Sequence, residues 1–168
     1  FPKRRSSDLN KCIYSAYETA DVFNGQDSGA LTFGDGNDLV AAAPIYNVFN
    51  TTGGIEQLIV TKNNETYRLT GSSPDTWTIQ RLSGNIGCIA PLTMVSADTT
   101  SVDGLRKQVA IWMADDGVYM TDGSTVQSIS DDISAYWDKN SSNCISTYFM
   151  KYSYGWYDPK LKSYKLLI

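Results

Sequence analysis

The sequence predicts an all-β protein made of antiparallel β-propeller blades, about three of them, with one short helix. Three observations carry that reading. A strand–turn–strand unit, Leu58–Leu69, returns as Ala110–Thr121 at an offset of 52 residues, with both apolar runs, both polar turns and Tyr67 with Tyr119 coinciding. Turn signals recur every ~8–12 residues with almost no helical periodicity. Eleven tyrosines and four tryptophans, beside many Thr, Ser and Gly, favour strands joined by tight turns. A repeated unit of this size buries its face against neighbouring copies, so it reads first as a building unit.

Along the chain, residues 1–10 hold the basic cluster Lys3, Arg4 and Arg5. Three charges are too few for strong counterion release, so the segment reads as a solvated entry loop, with a polyanion-touching arm as the alternative. Lys11–Ala16 alternates and reads as a strand, residues 18–25 as a loop or single helical turn, and Ala30–Phe33 as a second strand. Gly34–Asp38 is a turn in which glycine supplies positive φ and Asx side chains bond local backbone. Leu39–Ala43 is expected to be a buried strand ended by Pro44.

The clearest hairpin runs from Ile55 to Thr70 around Asn63-Asn64, residues that tolerate the left-handed conformations of a two-residue turn. Trp77–Leu82 alternates as a further strand, and Gly84–Pro91 is a connector whose glycines allow close backbone approach. Leu92–Val95 leads into a polar loop, Ser96–Gly104. The second copy then follows, with strands Gln108–Met113 and Val118–Thr121 around Asp115–Gly117, a tight turn at Asp122-Gly123, and Val126–Ile129 as its next strand. Ser130–Trp137 predicts the short helix, with Ser130 as its cap, Asp131 and Asp132 at the positive dipole end, and Ile133, Tyr136 and Trp137 on one face. A third related unit follows: Ile145–Tyr152, Tyr154–Tyr157, a turn at Asp158–Lys162, and Ser163–Ile168.

Composition narrows the function classes. A chain of 168 residues suits one domain, 1–168, able to bury about 70% of its unfolded surface. The absence of histidine removes Ser-His-Asp triads, Cys-His dyads and His-ligated zinc. Cys12, Cys88 and Cys144 are widely separated and odd in number, which fits small buried hydrophobes in a reducing compartment. A net charge of −4 argues against a phosphate-gripping surface, though not against DNA passing nearby without being held. No apolar run approaches the ~18 residues of a membrane span. Asp35, Asn37 and Asp38 are oxygen donors in one turn, but they lack the rest of a calcium loop's ligand ladder.

Taken in order, several stretches also look alike to a known family. They are Cys12–Ala16, Gly29–Phe33 with Gly34-Asp-Gly36, Leu58–Val60, Thr66–Gly71, Gly87-Cys88 with Ala90-Pro91, Asp116–Gly123 running into Ile129–Ile133, and Tyr157–Pro159 with Ser163–Leu167. This ordered set resembles the β-propeller tail proteins of short-tailed bacteriophages, the tail nozzle or tubular proteins and the packaged-DNA stabilisation hub proteins. The resemblance implies a virion structural protein and not an enzyme, with no catalytic, cofactor-binding or metal-binding residues. It implies a homo-oligomeric ring, a hexamer in the nozzles, beneath portal and adaptor proteins in the tail, assembled in the host bacterial cytoplasm. Such a ring continues the ejection channel and retains the packaged genome, with double-stranded DNA passing through it without sequence-specific binding. Members of that family are considerably longer, and this chain starts on Phe1 and stops within the strand-like Tyr164–Ile168. It is therefore expected to be a piece of a longer polypeptide.

Two other classes stand beside this reading. A glycan-cleaving propeller enzyme would need two carboxylates ~5–10 Å apart. Asp115 with Asp116 and Asp131 with Asp132 are the available pairs, although a turn and a helix start explain both. A secreted or virion-associated carbohydrate-binding module would stack exposed Trp and Tyr on sugars, and Asn50, Asn64 and Asn140 lie in glycosylation sequons. Against it, Trp77, Trp112, Trp137 and Trp156 fall in strands or on an apolar helix face, where burial in the core is expected.

Overall fold

The computed structural model describes residues 9–50, 53–100 and 106–168. The entry loop expected at 1–10 lies outside the described residues as far as residue 8, and so does the 101–104 part of the loop expected at Ser96–Gly104. The protein is mostly β. Its chain divides into two compact units, Phe1–Leu39 and Val40–Ile168.

In the first unit, β1 (Lys11–Tyr14) pairs antiparallel with β2 (Gly29–Thr32), Cys12 opposite Leu31. Both strands stop short of the expected ends at Ala16 and Phe33. The 34–38 turn is closed by Asn10, whose side-chain amide donates to Gly34 O at 3.1 Å and whose carbonyl accepts from Phe33 N at 3.0 Å.

The second unit holds a curled antiparallel sheet of eight strands that forms a half-barrel. The strands are β3 (Leu39–Asn50), β4 (Gly53–Lys62), β5 (Thr66–Thr70), β6 (Thr78–Ser83), β7 (Val95–Thr100), β8 (Arg106–Met113), β9 (Val118–Thr121) and β10 (Val126–Ser128). They form two four-stranded meanders, β3-β4-β5-β6 and β7-β8-β9-β10, joined where Asn47 of β3 pairs with Lys107 of β8. A separate hairpin, β11 (Tyr154–Asp158) with β12 (Ser163–Leu167), completes the strands among the described residues.

The repeat seen in the sequence is a repeat of hydrogen-bond register. In the first meander Leu58 faces Leu69, Ile59 faces Arg68, Val60 faces Tyr67 and Thr61 faces Thr66. Shifted by the same 52 residues, Ala110 faces Thr121, Ile111 faces Met120, Trp112 faces Tyr119 and Met113 faces Val118. The turns match too: Lys62 N donates to Glu65 O at 2.9 Å, and Ala114 N to Gly117 O at 2.8 Å. What differs is the charge carried at those turns. Lys62 is fully buried, 3.3 Å from Glu65, which also accepts from Tyr67 Oη at 3.0 Å. The second copy has Ala114 and Gly117 at those places, and Tyr119 donates instead to Asp116.

Four expectations are corrected by packing. Pro44 does not end β3. Tyr46 N donates to Gln108 Oε1 at 2.8 Å, so the amide edge at 44 and 46 faces β8, and β8 pairs with β3 only at Asn47 among the described pairs. Proline's missing donor therefore costs no ladder bond. The expected polar loop at Ser96–Gly104 is largely β7, because Val95 to Thr100 pair residue by residue with Ile111 to Arg106. Ser130 does not cap a helix. It is buried and accepts from Val118 N at 2.8 Å, and the following turn is 3-10, breaking at Ile133 with φ −118. Ile133 and Tyr136 are consequently exposed while Trp137 is buried. Within Ile145–Tyr152, expected as a strand, one turn of helix, α1 (Thr147–Met150), forms instead and drops Met150 into the core.

β8 lies between two cores. Val109, Ile111 and Met113 pack with Trp137 and Met150, whereas Ala110 and Trp112 pack with Ala43, Ile45, Ile59 and Cys88. The connector 87–93 ties the surrounding pieces together. Cys88 N donates to Lys62 O at 2.8 Å and Ile89 N to Met113 O at 3.2 Å. Trp112 Nε1 donates to Gly87 O at 2.9 Å, Met113 N to Thr93 Oγ1 at 3.1 Å, and Tyr164 Oη to Thr93 O at 2.9 Å. A Cβ at Gly87 would collide with the Lys62 carbonyl and come within 2.6 Å of Asn63 C. Gly87→Ala is therefore expected to lower the unfolding free energy by about 1–3 kcal/mol. Gly36→Ala, where nothing lies within 4 Å, should change it by no more than about 0.5 kcal/mol. Urea unfolding of the two variants checks the contrast.

Candidate functional site

The joint between the meanders is built from polar side chains that reach the Asp122-Gly123 turn. Asn47 Nδ2 donates to Asp122 O at 2.7 Å, and Arg68 Nη1 to Gly123 O at 2.7 Å. Arg68 Nη2 is held by Gln80 Oε1, and Gln108 N donates to Asn47 Oδ1 at 2.8 Å. Lys107 Nζ lies 2.6 Å from Asp122 Oδ2. Gly123 sits at φ 90, and a Cβ there would come within 2.8 Å of Gln57 Cδ. Burial alone would raise the Asp122 carboxyl, but the Lys107 ammonium and the Ser124 donors outweigh it and hold the group well below the usual carboxylate range.

Beside this joint lies an open cleft of about 540 Å³. Leu58 and Leu69, a cross-strand pair, supply apolar surface, and Tyr46, Trp77, Gln57 and Gln108 also line it. The Tyr46 ring lies over Gly54 of the adjoining strand, which leaves its position little freedom. Gln108 is already committed on both sides, accepting from Tyr46 N and donating to Asp98 Oδ1 at 2.7 Å. Glu56 is the one carboxylate among the described lining residues. A single carboxylate does not make the acid–base pair that glycoside cleavage uses.

The carboxylates singled out in the sequence are drawn together at the far end of β8 and β9. Asp116 Oδ2 accepts from Tyr119 Oη at 3.0 Å, Asp131 Oδ1 accepts from Ser128 Oγ, and Asp115 and Asp132 are exposed. Burial, the Asp116 bond and the charges of Asp116, Asp115 and Asp131 push the Tyr119 phenol up to about 12. Asp115 and Asp116 thus share one neighbourhood with Asp131, from a pair that looks separate in the sequence. At Asp35, Asn37 and Asp38 the turn is closed by Asn37 N donating to Asp35 O at 2.6 Å. Among the described residues no group of three or more His, Cys, Asp or Glu could hold a metal ion.

Trp112 and Trp137 are buried as expected, but Trp77 is half-buried and Trp156 is exposed. Cys88 is buried, and its thiol is pushed up by that burial, while Cys12 and Cys144 are half-buried and all three are free. No described helix is long and apolar enough to cross a membrane.

Set against known protein families, curated proteins and solved structures, the chain matches none. The sequence places Asp122 in a tight turn but does not bring Asn47, Arg68 and Lys107 to it. Asp-Gly at 122–123 signals a turn, but nothing in the string says which strands that turn will touch.

The depressed Asp122 group sets a pH dependence. A carboxyl whose folded pKa lies below its unfolded value of about 3.9 stabilises the fold above that value, and the contribution is lost as pH falls. Asp122→Asn is expected to lower the melting temperature at pH 7, by no more than about 1 kcal/mol of stability for a partly exposed pair. The gap from the parent should narrow continuously as pH falls below about 4, where the unfolded carboxyl takes up a proton that the folded one still refuses. Thermal melts from pH 7 down to about pH 2 check it, and a gap as large at pH 2 as at pH 7 would contradict the assignment.

Proposed function

We propose that this protein is a structural component of a bacteriophage tail, a nozzle or hub subunit that forms part of the DNA-ejection channel and retains the packaged genome. The observation that carries the reading is the pair of four-stranded antiparallel meanders with the same hairpin register at a 52-residue offset. Each is read as one propeller blade, with β11–β12 as part of a third. The ordered resemblance to phage tail proteins supplies the biological setting: a homo-oligomeric ring, a hexamer by that resemblance, in the virion tail between portal or adaptor proteins and the exit. Two physical points support it. In each acidic pair that a glycan-cleaving enzyme would draw on, one member is already engaged, Asp116 with Tyr119 and Asp131 with Ser128. The acidic balance of the chain disfavours tight phosphate contacts, so DNA could pass without being held by counterion release.

The cleft lined by Tyr46 and Trp77 favours a second reading, a carbohydrate-binding module. Negative-stain imaging of the purified full-length protein separates the two. A ring with an axial channel is the expected result. A compact monomer that is retained on a glycan array would overturn the tail reading and support the second.

A further inference from the structure

We propose that the exposed aromatic and basic surface of residues 148–167 docks, head to tail, on an acidic surface of a second copy of this chain. The β11–β12 hairpin is fixed by its inner face, where Tyr157 Oη donates to Asp98 O at 3.2 Å and Tyr164 Oη to Thr93 O at 2.9 Å. Its outer face is left to solvent: Tyr154 is 50% exposed, Trp156 41% and Leu167 64%. Just before it, Tyr148, Phe149 and Tyr152 are 58–64% exposed, and the Lys151 ammonium lies 5.1 Å and 4.9 Å from the Tyr148 and Tyr152 ring centres. Large apolar groups at this density mark an interaction surface.

Charge selects the occupant. Residues 139–168 carry five lysines against one aspartate, while residues 40–138 carry eleven acidic groups against five basic ones. Of the lysines on this surface, Lys165 is paired with Asp158, whereas Lys160 and Lys162 are exposed on the hairpin turn with no carboxylate within ion-pair distance among the described residues. Asp115 is exposed in the acidic neighbourhood of Tyr119, Asp132 is exposed next to Asp131 in the chain, and neither has a cation within ion-pair distance among the described residues. The chain therefore presents a basic, apolar surface and an acidic one, and each copy supplies what the other lacks. Nucleic acid and anionic lipid would also attract the lysines, but both are repelled by a chain whose overall charge is −4. Because the two surfaces differ, the contact is heterologous and propagates into a closed ring or an open fibre.

This deepens the tail reading and rests on it for closure into a ring; the contact itself stands on the two surfaces. Sedimentation velocity of the full chain tests it, comparing the parent with K160E/K162E and with D115K/D132K. Each reversal should weaken self-association about tenfold or more, and mixing the two variants should restore it, because intact faces then meet in trans. Raising salt from about 50 to 500 mM should weaken the parent. Circular dichroism melts confirm that the variants fold. Unchanged association in both variants would overturn the proposal, and if rings persist in them the tail reading survives with copies meeting elsewhere. A parent that stays monomeric yet sediments with phosphatidylserine vesicles or oligo(dT) would also overturn it. Trp156→Ser should weaken association at every salt concentration.

Discussion

β8 has no face turned to water from Val109 to Met113, and most of the second unit is a response to that constraint. From Val109 to Ala114 every side chain is buried, so both faces of one strand must be covered by apolar surface. β3 and β4 supply one cover with Ala43, Ile45 and Ile59; the segment around Trp137 and Met150 supplies the other. Connector 87–93 makes the two covers one structure. Its backbone bonds the first hairpin at Lys62 and β8 at Met113, and its Gly87 carbonyl takes the indole proton of Trp112. Burying an indole without that acceptor would leave a polar group unpaired, which generally costs about 1–3 kcal/mol. The position of Gly87 and the orientation of Trp112 therefore depend on each other.

Much of this was legible in the amino-acid string because it rests on local chemistry. The two hairpins, their turns and the 52-residue offset follow from apolar runs around Asn63-Asn64 and Asp115-Asp116, and the structure repeats their register residue for residue. The close approach at Gly87 was readable for the same reason. Illegible parts depend on neighbours distant in sequence. Ser96 to Thr100 is polar enough to read as a loop and becomes a strand because β8 offers a full ladder. Pro44 looks like a stop and is tolerated because its amide edge faces a stretch with no ladder partner. Ser130 has the makings of a cap, yet a backbone amide of β9 claims its hydroxyl. The candidate site divides in the same way. The acidic pairs were visible, but their convergence on Tyr119 and the joint at Asp122 were not, because both arise from tertiary placement.

The two meanders keep one backbone plan while their polar interiors diverge. In the first, a buried Lys62–Glu65 pair stands at the turn, with Tyr67 and Arg81 also on Glu65. Burial opposes the charge on Glu65, but those donors outweigh it and lower its pKa. In the second, the equivalent interior is uncharged and the acids sit outside, around Asp116. That divergence places negative charge at one end of the second meander while lysines gather near β11 and β12. The register is thus kept while the charge is redistributed, which is the asymmetry that the proposed head-to-tail contact uses.

Connector 87–93 joins the two meanders into one cooperative unit. Native-state hydrogen exchange tests it most directly, by comparing amides of β4 and β5 with those of β8 and β9. The most protected amides of both hairpins are expected to exchange with the same opening free energy, and Thr93→Val, which removes the acceptor for Met113 N, is expected to lower both by the same amount. Two distinct opening free energies in the parent, or a loss confined to β8 and β9 in the variant, would contradict it.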